Sequence, residues 1–200
     1  KMCTHIEIEA AASSGIRDFG ENYLQDALLK MQHLEDFRSG SKNLTWHFIG
    51  SVQSNKTRDI AHHFQWVHTV DRINIAKRLH SHRSGLAPLD VCIQVNIDEE
   101  PQKAGVSPDG IGELMDTVAS LDNLRLRGLM VIPCERSDAE SVRPSFQRTA
   151  ELFRMHKTAG GKFWDTLSMG MSSDYTIAID EGATCVRIGT AIFGRRNPST

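Results

Sequence analysis

The sequence lacks a strong excess of charge of either sign and lacks long apolar runs. Its 23 lysine and arginine residues nearly balance 25 aspartate and glutamate residues, which leaves a net charge of -2. This balance gives no reason to expect a nucleic acid or an anionic membrane surface as a partner. No apolar stretch approaches the roughly 18 residues that span a bilayer, and no signal peptide is visible. We therefore expect a cytoplasmic globular protein with neither kind of partner.

The sequence also lacks residues spaced for disulfides or metal binding. Its four cysteines, Cys3, Cys92, Cys134 and Cys185, lie far apart and form no CxxC pair. The nine histidines show neither the HExxH spacing nor a Cys/His spacing typical of metal sites. We therefore predict free thiols in a reducing compartment, and no metal.

Short runs of β-branched and apolar residues alternate with longer amphipathic stretches. The predicted strands are Ile16–Phe19, Thr45–Ile49, Trp66–Val70, Val91–Ile97, Leu126–Ile132, Thr166–Ser168 and Cys185–Ile188. The predicted helices are Ile6–Ser14, Tyr23–Phe37, Lys56–His63, Ile73–His82, Ile111–Leu121, Ser141–Thr158 and Tyr175–Glu181. Strict alternation of strand and helix is typical of a parallel sheet.

A leading helix followed by seven strands predicts an α/β fold, a single (β/α)8 TIM-type barrel whose first strand lies upstream of Lys1. Residues 1–200 would then form one barrel domain that is incomplete at its N-terminus. An open, doubly wound sheet is the alternative. No GxGxxG motif follows any predicted strand, which weighs against the dinucleotide-binding version of that alternative.

Small and hydroxyl-bearing residues follow the last two predicted strands. Active sites of barrels are built from loops at the carboxyl ends of the strands, and the last loops often bind phosphate. Glycines allow backbone N–H groups to approach an anion, and hydroxyl groups add further donors. The pattern indicates a phosphate site, and the alternative is a set of turn glycines and helix-capping serines. The candidate residues are Ser168, Gly170, Ser172, Gly189 and Thr190.

Arg187 stands inside the apolar run Cys185–Ile188, where a charged side chain needs a partner. That partner is either a carboxylate within the barrel or a bound ligand, and the pattern alone does not decide between them. Taken by themselves, the residues predict a barrel that binds a small phosphorylated ligand.

Six longer motifs occur in order along nearly the whole chain: Phe19-Gly-Glu-Asn-Tyr-Leu-Gln25, Trp46-His-Phe-Ile-Gly50, Gln53-Ser-Asn-Lys56, Leu126-Arg-Gly-Leu-Met130, Leu167-Ser-Met-Gly-Met-Ser172 and Val186-Arg-Ile-Gly-Thr-Ala-Ile-Phe-Gly194. As a set they are highly specific. The chain resembles the YggS/PROSC family, the pyridoxal 5′-phosphate (PLP) homeostasis proteins. The resemblance implies the barrel fold of the alanine racemase N-terminal domain.

The resemblance also implies a cofactor site. Family members hold PLP as a Schiff base on a lysine eighteen residues before the phenylalanine of the FGEN motif, and Lys1 occupies that position here. The family usually has Thr-x-Pro after this lysine, whereas Met2-Cys3-Thr4 follows it here. By the same resemblance, one group of residues binds the phosphate, Arg187 faces the pyridine nitrogen, and a third group lines the ring. The phosphate group comprises Ser168, Met169, Gly170, Ser172, Gly189 and Thr190, and the ring group comprises Asn22, His47 and Met130.

Arg187 also bears on activity. A guanidinium keeps its proton and accepts no hydrogen bond, so beside the pyridine nitrogen it would leave that nitrogen unprotonated and weaken the ring as an electron sink. Alanine racemase adds a second domain that supplies a catalytic tyrosine, whereas this chain ends at Thr200, and we expect no such domain. We predict a monomeric PLP-binding protein that buffers PLP or delivers it to apo-enzymes, rather than an enzyme. The alternatives are a PLP enzyme acting on amino acids, such as a slow racemase, and a phosphosugar-binding barrel enzyme.

Overall fold

A computed structural model describes residues 3–36, 44–134 and 138–194 of the chain, and strands and helices alternate through these ranges. The strands are β1 (Asp18–Glu21), β2 (Thr45–Phe48), β3 (Trp66–Val70), β4 (Leu89–Val95), β5 (Leu124–Val131), β6 (Thr166–Met171) and β7 (Cys185–Arg187). The helices are α1 (His5–Ser13), α2 (Leu24–Asp36), α3 (Thr57–His63), α4 (Ile73–His82), α5 (Ile111–Ala119), α6 (Arg143–Met155), α7 (Lys157–Gly160), α8 (Tyr175–Asp180) and α9 (Thr190–Phe193).

All seven strands form one parallel sheet in sequence order, from β1 to β7. Side chains also join strands that are not neighbours in that order. His68 of β3 lies 2.9 Å from the Ser168 hydroxyl of β6, and Arg187 of β7 donates to the Val131 carbonyl of β5. These contacts require the sheet to curl into a nearly closed barrel. The predicted parallel TIM-type fold is therefore confirmed, while the strand predicted upstream of Lys1 lies outside the described residues.

The hydrophobic core lies between the sheet and the surrounding helices. Every residue of β4 is buried, as expected for a parallel strand covered on both faces. Phe64, Ile75 and Phe146 are among the largest fully buried side chains. Burying side chains of this kind contributes about 1.5–3 kcal/mol each. No helix in the described ranges is both long enough and apolar enough to cross a membrane.

Strand boundaries differ from the sequence prediction where pairing extends a strand into polar or glycine residues. β1 begins at Asp18 rather than Ile16, and it continues to Glu21, which is in register with Phe48 of β2. β6 continues past Ser168 to Met171, which is in register with Arg187 of β7. Backbone pairing with a neighbour requires no apolar side chain, so the apolar pattern ended these strands too early.

The amino end of the barrel is closed by charged and aromatic side chains. Arg127 of β5 contacts Asp90 of β4 at 3.1 Å and Asp165, just before β6, at 2.7 Å. Its guanidinium also lies 4.5 Å from the ring centroid of Trp66. Such an arrangement at the amino end of a barrel contributes to stability, and it leaves the carboxyl end as the place for a ligand.

Candidate functional site

Two loops meet at the carboxyl end of the barrel. The loop after β6 carries Ser172, whose hydroxyl oxygen accepts a 3.2 Å hydrogen bond from the Gly189 backbone N–H in the loop after β7. The first of these loops is shaped by Asp174, whose buried carboxylate accepts a 2.6 Å hydrogen bond from the Met171 N–H. Thr190 follows Gly189 directly and is exposed. Of the residues that the sequence predicted for phosphate binding, the structure therefore brings Ser172, Gly189 and Thr190 together in these loops, while Ser168 and Gly170 lie within β6.

The two glycines of these loops differ in their surroundings. Gly170 has a φ of +92°, and a Cβ added there would lie 2.6 Å from the Ala178 Cβ and 3.1 Å from the Tyr175 Cα. Glycine at this position thus permits α8 to pack closely against β6. An added Cβ at Gly189 would meet no atom within 4 Å, because that side of the loop is open. The space beside Gly189 is accessible to an anion that backbone N–H groups could contact.

Arg187 lies at the end of β7, beside these loops. Its Nη1 donates to the Ser168 hydroxyl at 2.8 Å and its Nη2 donates to the Val131 carbonyl at 2.9 Å. Within the described part of the chain, no carboxylate lies at ion-pair distance from the guanidinium. Burial lowers the pKa of Arg187 from its usual value. Of the two partners considered for this arginine, the intramolecular carboxylate is therefore absent from the described barrel, which leaves a bound ligand as the other alternative.

Polar side chains continue from Arg187 into the barrel interior as a hydrogen-bonded chain. The Ser168 hydroxyl contacts His68 Nδ1 at 2.9 Å, and His68 Nε2 contacts His47 Nδ1 at 2.9 Å. His47 Nε2 in turn lies 3.0 Å from an Asp18 carboxylate oxygen. We refer to Asp18, His47, His68, Ser168 and Arg187 as the interior chain. It spans β1, β2, β3, β6 and β7 and connects the exposed Asp18 carboxylate to the half-buried Arg187 guanidinium.

Both histidines of the interior chain are held neutral. Burial, reinforced by His47 and Arg187, keeps the pKa of His68 well below its usual value. Burial also lowers the pKa of His47, although Asp18 and Asp90 oppose this shift. Neutral imidazoles offer one donor and one acceptor each, which is what a continuous chain of hydrogen bonds requires.

The other predicted site residues occupy different parts of the barrel. Met130 of β5 is fully buried and in register with Ser168 of β6, at the inner end of the site. The Met169 side chain belongs to the hydrophobic core, so only its backbone is available to a ligand. Asn22 is exposed and follows β1 at its carboxyl end. Lys1 lies outside the described residues.

Sequence reasoning missed two members of the interior chain, His68 and Asp18. It assigned His47 to the cofactor ring, whereas the His47 side chain here contacts His68 and Asp18. A signal for His68 was present, because in Trp66–Val70 it alternates with Trp66 and Val70 and so shares their face of β3. A buried histidine at the centre of a strand needs hydrogen-bond partners in the interior.

This arrangement can bind an anion and a planar ring together. The loops after β6 and β7 supply backbone N–H groups and hydroxyls, and Arg187 supplies a half-buried positive charge without a carboxylate partner in the described barrel. A phosphorylated heterocycle presents a dianion and an in-plane acceptor nitrogen, which match these two features.

Comparisons with known proteins identify the family of this chain. The family described as "Alanine racemase, N-terminal domain" matches residues 3–197. Over 191 residues, the chain is 52% identical to a Pseudomonas aeruginosa protein named "Pyridoxal phosphate homeostasis protein", covering 95% of this chain and 79% of that protein. A protein of the same name from Escherichia coli is 47% identical over 193 residues, covering 96% of this chain and 81% of that protein.

Among solved structures, the fold is similar to that of PipY from Synechococcus elongatus with PLP bound. The two chains superpose with a TM-score of 0.85 and are 36% identical, with 96% of this chain and 88% of PipY covered. The PLP-free form of PipY superposes with a TM-score of 0.86. The similarity therefore extends over most of both chains.

Proposed function

The chain belongs to the alanine racemase N-terminal domain family and to the pyridoxal phosphate homeostasis proteins, and we propose that it binds PLP at the carboxyl end of its barrel to take part in PLP homeostasis. It holds the cofactor, buffers its concentration, and delivers it to apo-enzymes. We place it in the cytoplasm and expect it to act as a monomer.

The observation that carries this proposal is the half-buried Arg187 guanidinium, which has no carboxylate partner in the described barrel and lies next to the loop of Ser172 and Gly189. A charge that is partly withdrawn from water and has no counter-ion is costly. PLP offers two acceptors that relieve this cost, the phosphate dianion and the pyridine nitrogen. A purely structural role for Arg187 would require a carboxylate partner, and the described barrel places none beside it.

The individual roles follow from the chemistry of each group. Backbone N–H groups at Met169, Gly170, Ser172, Gly189 and Thr190, with the Ser172 and Thr190 hydroxyls, would hold the phosphate. Ser168, also predicted for the phosphate, would act through its hydrogen bond to Arg187, which would face the pyridine nitrogen. Asn22 and Met130 would line the ring. Lys1 would hold the cofactor covalently through its amine. His47 was predicted to line the ring, and its hydrogen bonds to His68 and Asp18 support a more indirect role, developed in the next subsection.

The phosphate assignment is tested by titrating the protein with PLP and with pyridoxal, which lacks the phosphate. Gly189→Val is the informative variant, because an added Cβ meets no atom within 4 Å and the side chain enters the space proposed for the anion. We expect Gly189→Val to bind PLP at least tenfold more weakly while unfolding like the unaltered protein. Ser172→Ala should weaken binding about tenfold, since a hydrogen bond to a charged group contributes about 1.5–3 kcal/mol. Unchanged PLP binding by Gly189→Val would place the phosphate elsewhere.

Arg187→Glu tests whether Arg187 limits amino-acid chemistry on the bound cofactor. A carboxylate beside the pyridine nitrogen would favour its protonation, which strengthens the ring as an electron sink. The same change brings a negative charge close to the phosphate. We expect weaker PLP binding together with faster deuterium incorporation into alanine in heavy water, measured at saturating PLP. Rapid turnover of an amino acid by the unaltered protein would instead identify an enzyme.

A further inference from the structure

The interior chain extends well beyond the residues that can reach a ligand at the carboxyl end of the barrel. Only Arg187 and Ser168 stand beside the proposed site, whereas Asp18 begins β1 at the opposite end and exposes 70% of its side chain. Four consecutive hydrogen bonds of 2.8–3.0 Å connect these ends. A continuous network of hydrogen-bonded side chains restricts the orientation of the groups that it connects.

The direction of every hydrogen bond in the interior chain is fixed from its carboxylate end. An ionised carboxylate only accepts, so His47 must present Nε2–H to Asp18 and leave Nδ1 as an acceptor. His68 must then donate from Nε2 to His47, which leaves His68 Nδ1 as an acceptor. The only donor within reach of that nitrogen in the described barrel is the Ser168 hydroxyl. The hydroxyl hydrogen is therefore committed to His68, and the oxygen lone pairs face Arg187.

We propose that His68 and His47 are positioning residues for the cofactor: through Ser168 they hold the Arg187 guanidinium in the orientation from which it contacts the pyridine ring. This inference rests on the proposed function, because it concerns how PLP is held. The two histidines do not touch the ligand themselves.

The chemistry of the interior chain supports this assignment over a purely structural one. The Ser168 hydroxyl could rotate toward Arg187 with its hydrogen, which would repel the guanidinium donors. Neutral His68 prevents this by accepting that hydrogen, and its low pKa keeps it neutral at physiological pH. The charged and titratable groups that act on the pair are Asp18 and Asp90 on His47, and Arg187 on His68.

Two substitutions at His68 separate positioning from packing. Asparagine places an amide close to where Nδ1 lies, and it can still accept from Ser168. Leucine has similar bulk and can accept nothing. We expect His68→Leu to weaken PLP binding about tenfold and His68→Asn less than about threefold, since one hydrogen bond to a charged group is at stake. His63→Leu is the control, because His63 is exposed on α3 and its hydrogen bond in the described ranges is to the Asp59 carbonyl of the same helix.

The decisive readout is the 15N chemical shift of the ring nitrogen in 15N-labelled PLP bound to each variant, which reports hydrogen bonding at that atom. We expect the shift to move toward that of free PLP in His68→Leu, to be largely restored in His68→Asn, and to stay constant in His63→Leu. Asp18→Ala, at an exposed position, should move it in the same direction by a smaller amount. This variant keeps the test available if His68→Leu does not fold.

The outcomes distinguish the two proposals. If the unaltered protein does not bind labelled PLP, the proposed function itself is wrong. If it binds PLP but His68→Asn, His68→Leu and Asp18→Ala all leave the 15N shift and the affinity unchanged, the positioning role is wrong while PLP binding stands. If asparagine fails to restore what leucine removes, His68 acts through packing alone, which also overturns the inference.

Discussion

Gly170 provides a test of how closely α8 must pack against β6, beside the loop that carries Ser172. Its φ of +92° lies in the left-handed region, which costs an alanine about 1–2 kcal/mol. The added Cβ would also lie 2.6 Å from the Ala178 Cβ, a distance that forces α8 away from β6. Overpacking of this kind costs about 1–3 kcal/mol more. We therefore expect Gly170→Ala to lower the free energy of unfolding by about 2–5 kcal/mol.

The chain supplies a matched control at the other end of α8. Gly182 has a φ of +95°, nearly the same as Gly170, but an added Cβ there meets no atom within 4 Å. Its N–H bonds the Ile179 carbonyl at 2.9 Å as the helix ends. Gly182→Ala should therefore cost only the backbone strain, about 1–2 kcal/mol. The difference between the two variants isolates the contact between β6 and α8.

Denaturant unfolding of both variants measures these losses from the transition midpoint and slope. α8 begins just after Asp174, which bonds the Met171 N–H at the end of β6, next to the loop that carries Ser172. Its displacement should therefore also weaken PLP binding in Gly170→Ala and not in Gly182→Ala. Equal destabilisation of the two variants would refute the reasoning, since it would mean that α8 adapts to the added methyl group without cost.

Three further predictions concern charged and titratable groups. Lys30 Nζ lies 2.6 Å from Glu21 Oε1, and both side chains are about nine-tenths buried. Lys30→Met should therefore lower the free energy of unfolding by about 3–5 kcal/mol, and adding Glu21→Leu should recover much of this loss. Additive losses in denaturant unfolding would contradict the prediction. Burial keeps the pKa of His68 low in the folded state. Below about pH 6.5 the unfolded state therefore takes up a proton at His68 that the folded state does not. The free energy of unfolding should accordingly fall as the pH drops below this value. The free energy of unfolding should fall less steeply with pH in His68→Asn. The same pH dependence in the two proteins would contradict this account. The Lys1 amine should condense with the PLP aldehyde and lose water, so that borohydride reduction and peptide mapping find the adduct on Lys1; an adduct solely on another lysine would overturn that assignment.

Several elements were predictable because their sequence signal is local. Ile73–His82 and Trp66–Val70 have the predicted bounds, since each has a clear period of its own along the chain. The short helix Thr190–Phe193 was not predicted, because one turn of helix has no period to detect. The loop residues Ser172 and Gly189 were identified as a set, and their mutual hydrogen bond was not, since it joins residues of two different loops.

The sequence by itself determined the alternation of strands and helices, the parallel barrel, and the family to which the chain belongs, because apolar periodicity and long motifs are properties of neighbouring residues. Only the tertiary structure decided that Arg187 has no carboxylate partner in the described barrel and that His68 and Asp18 are linked to it. Those facts depend on which side chains meet inside a curled sheet. His68 and Ser168 are separated by 100 positions along the chain and by 2.9 Å in space, and no local pattern records such a contact.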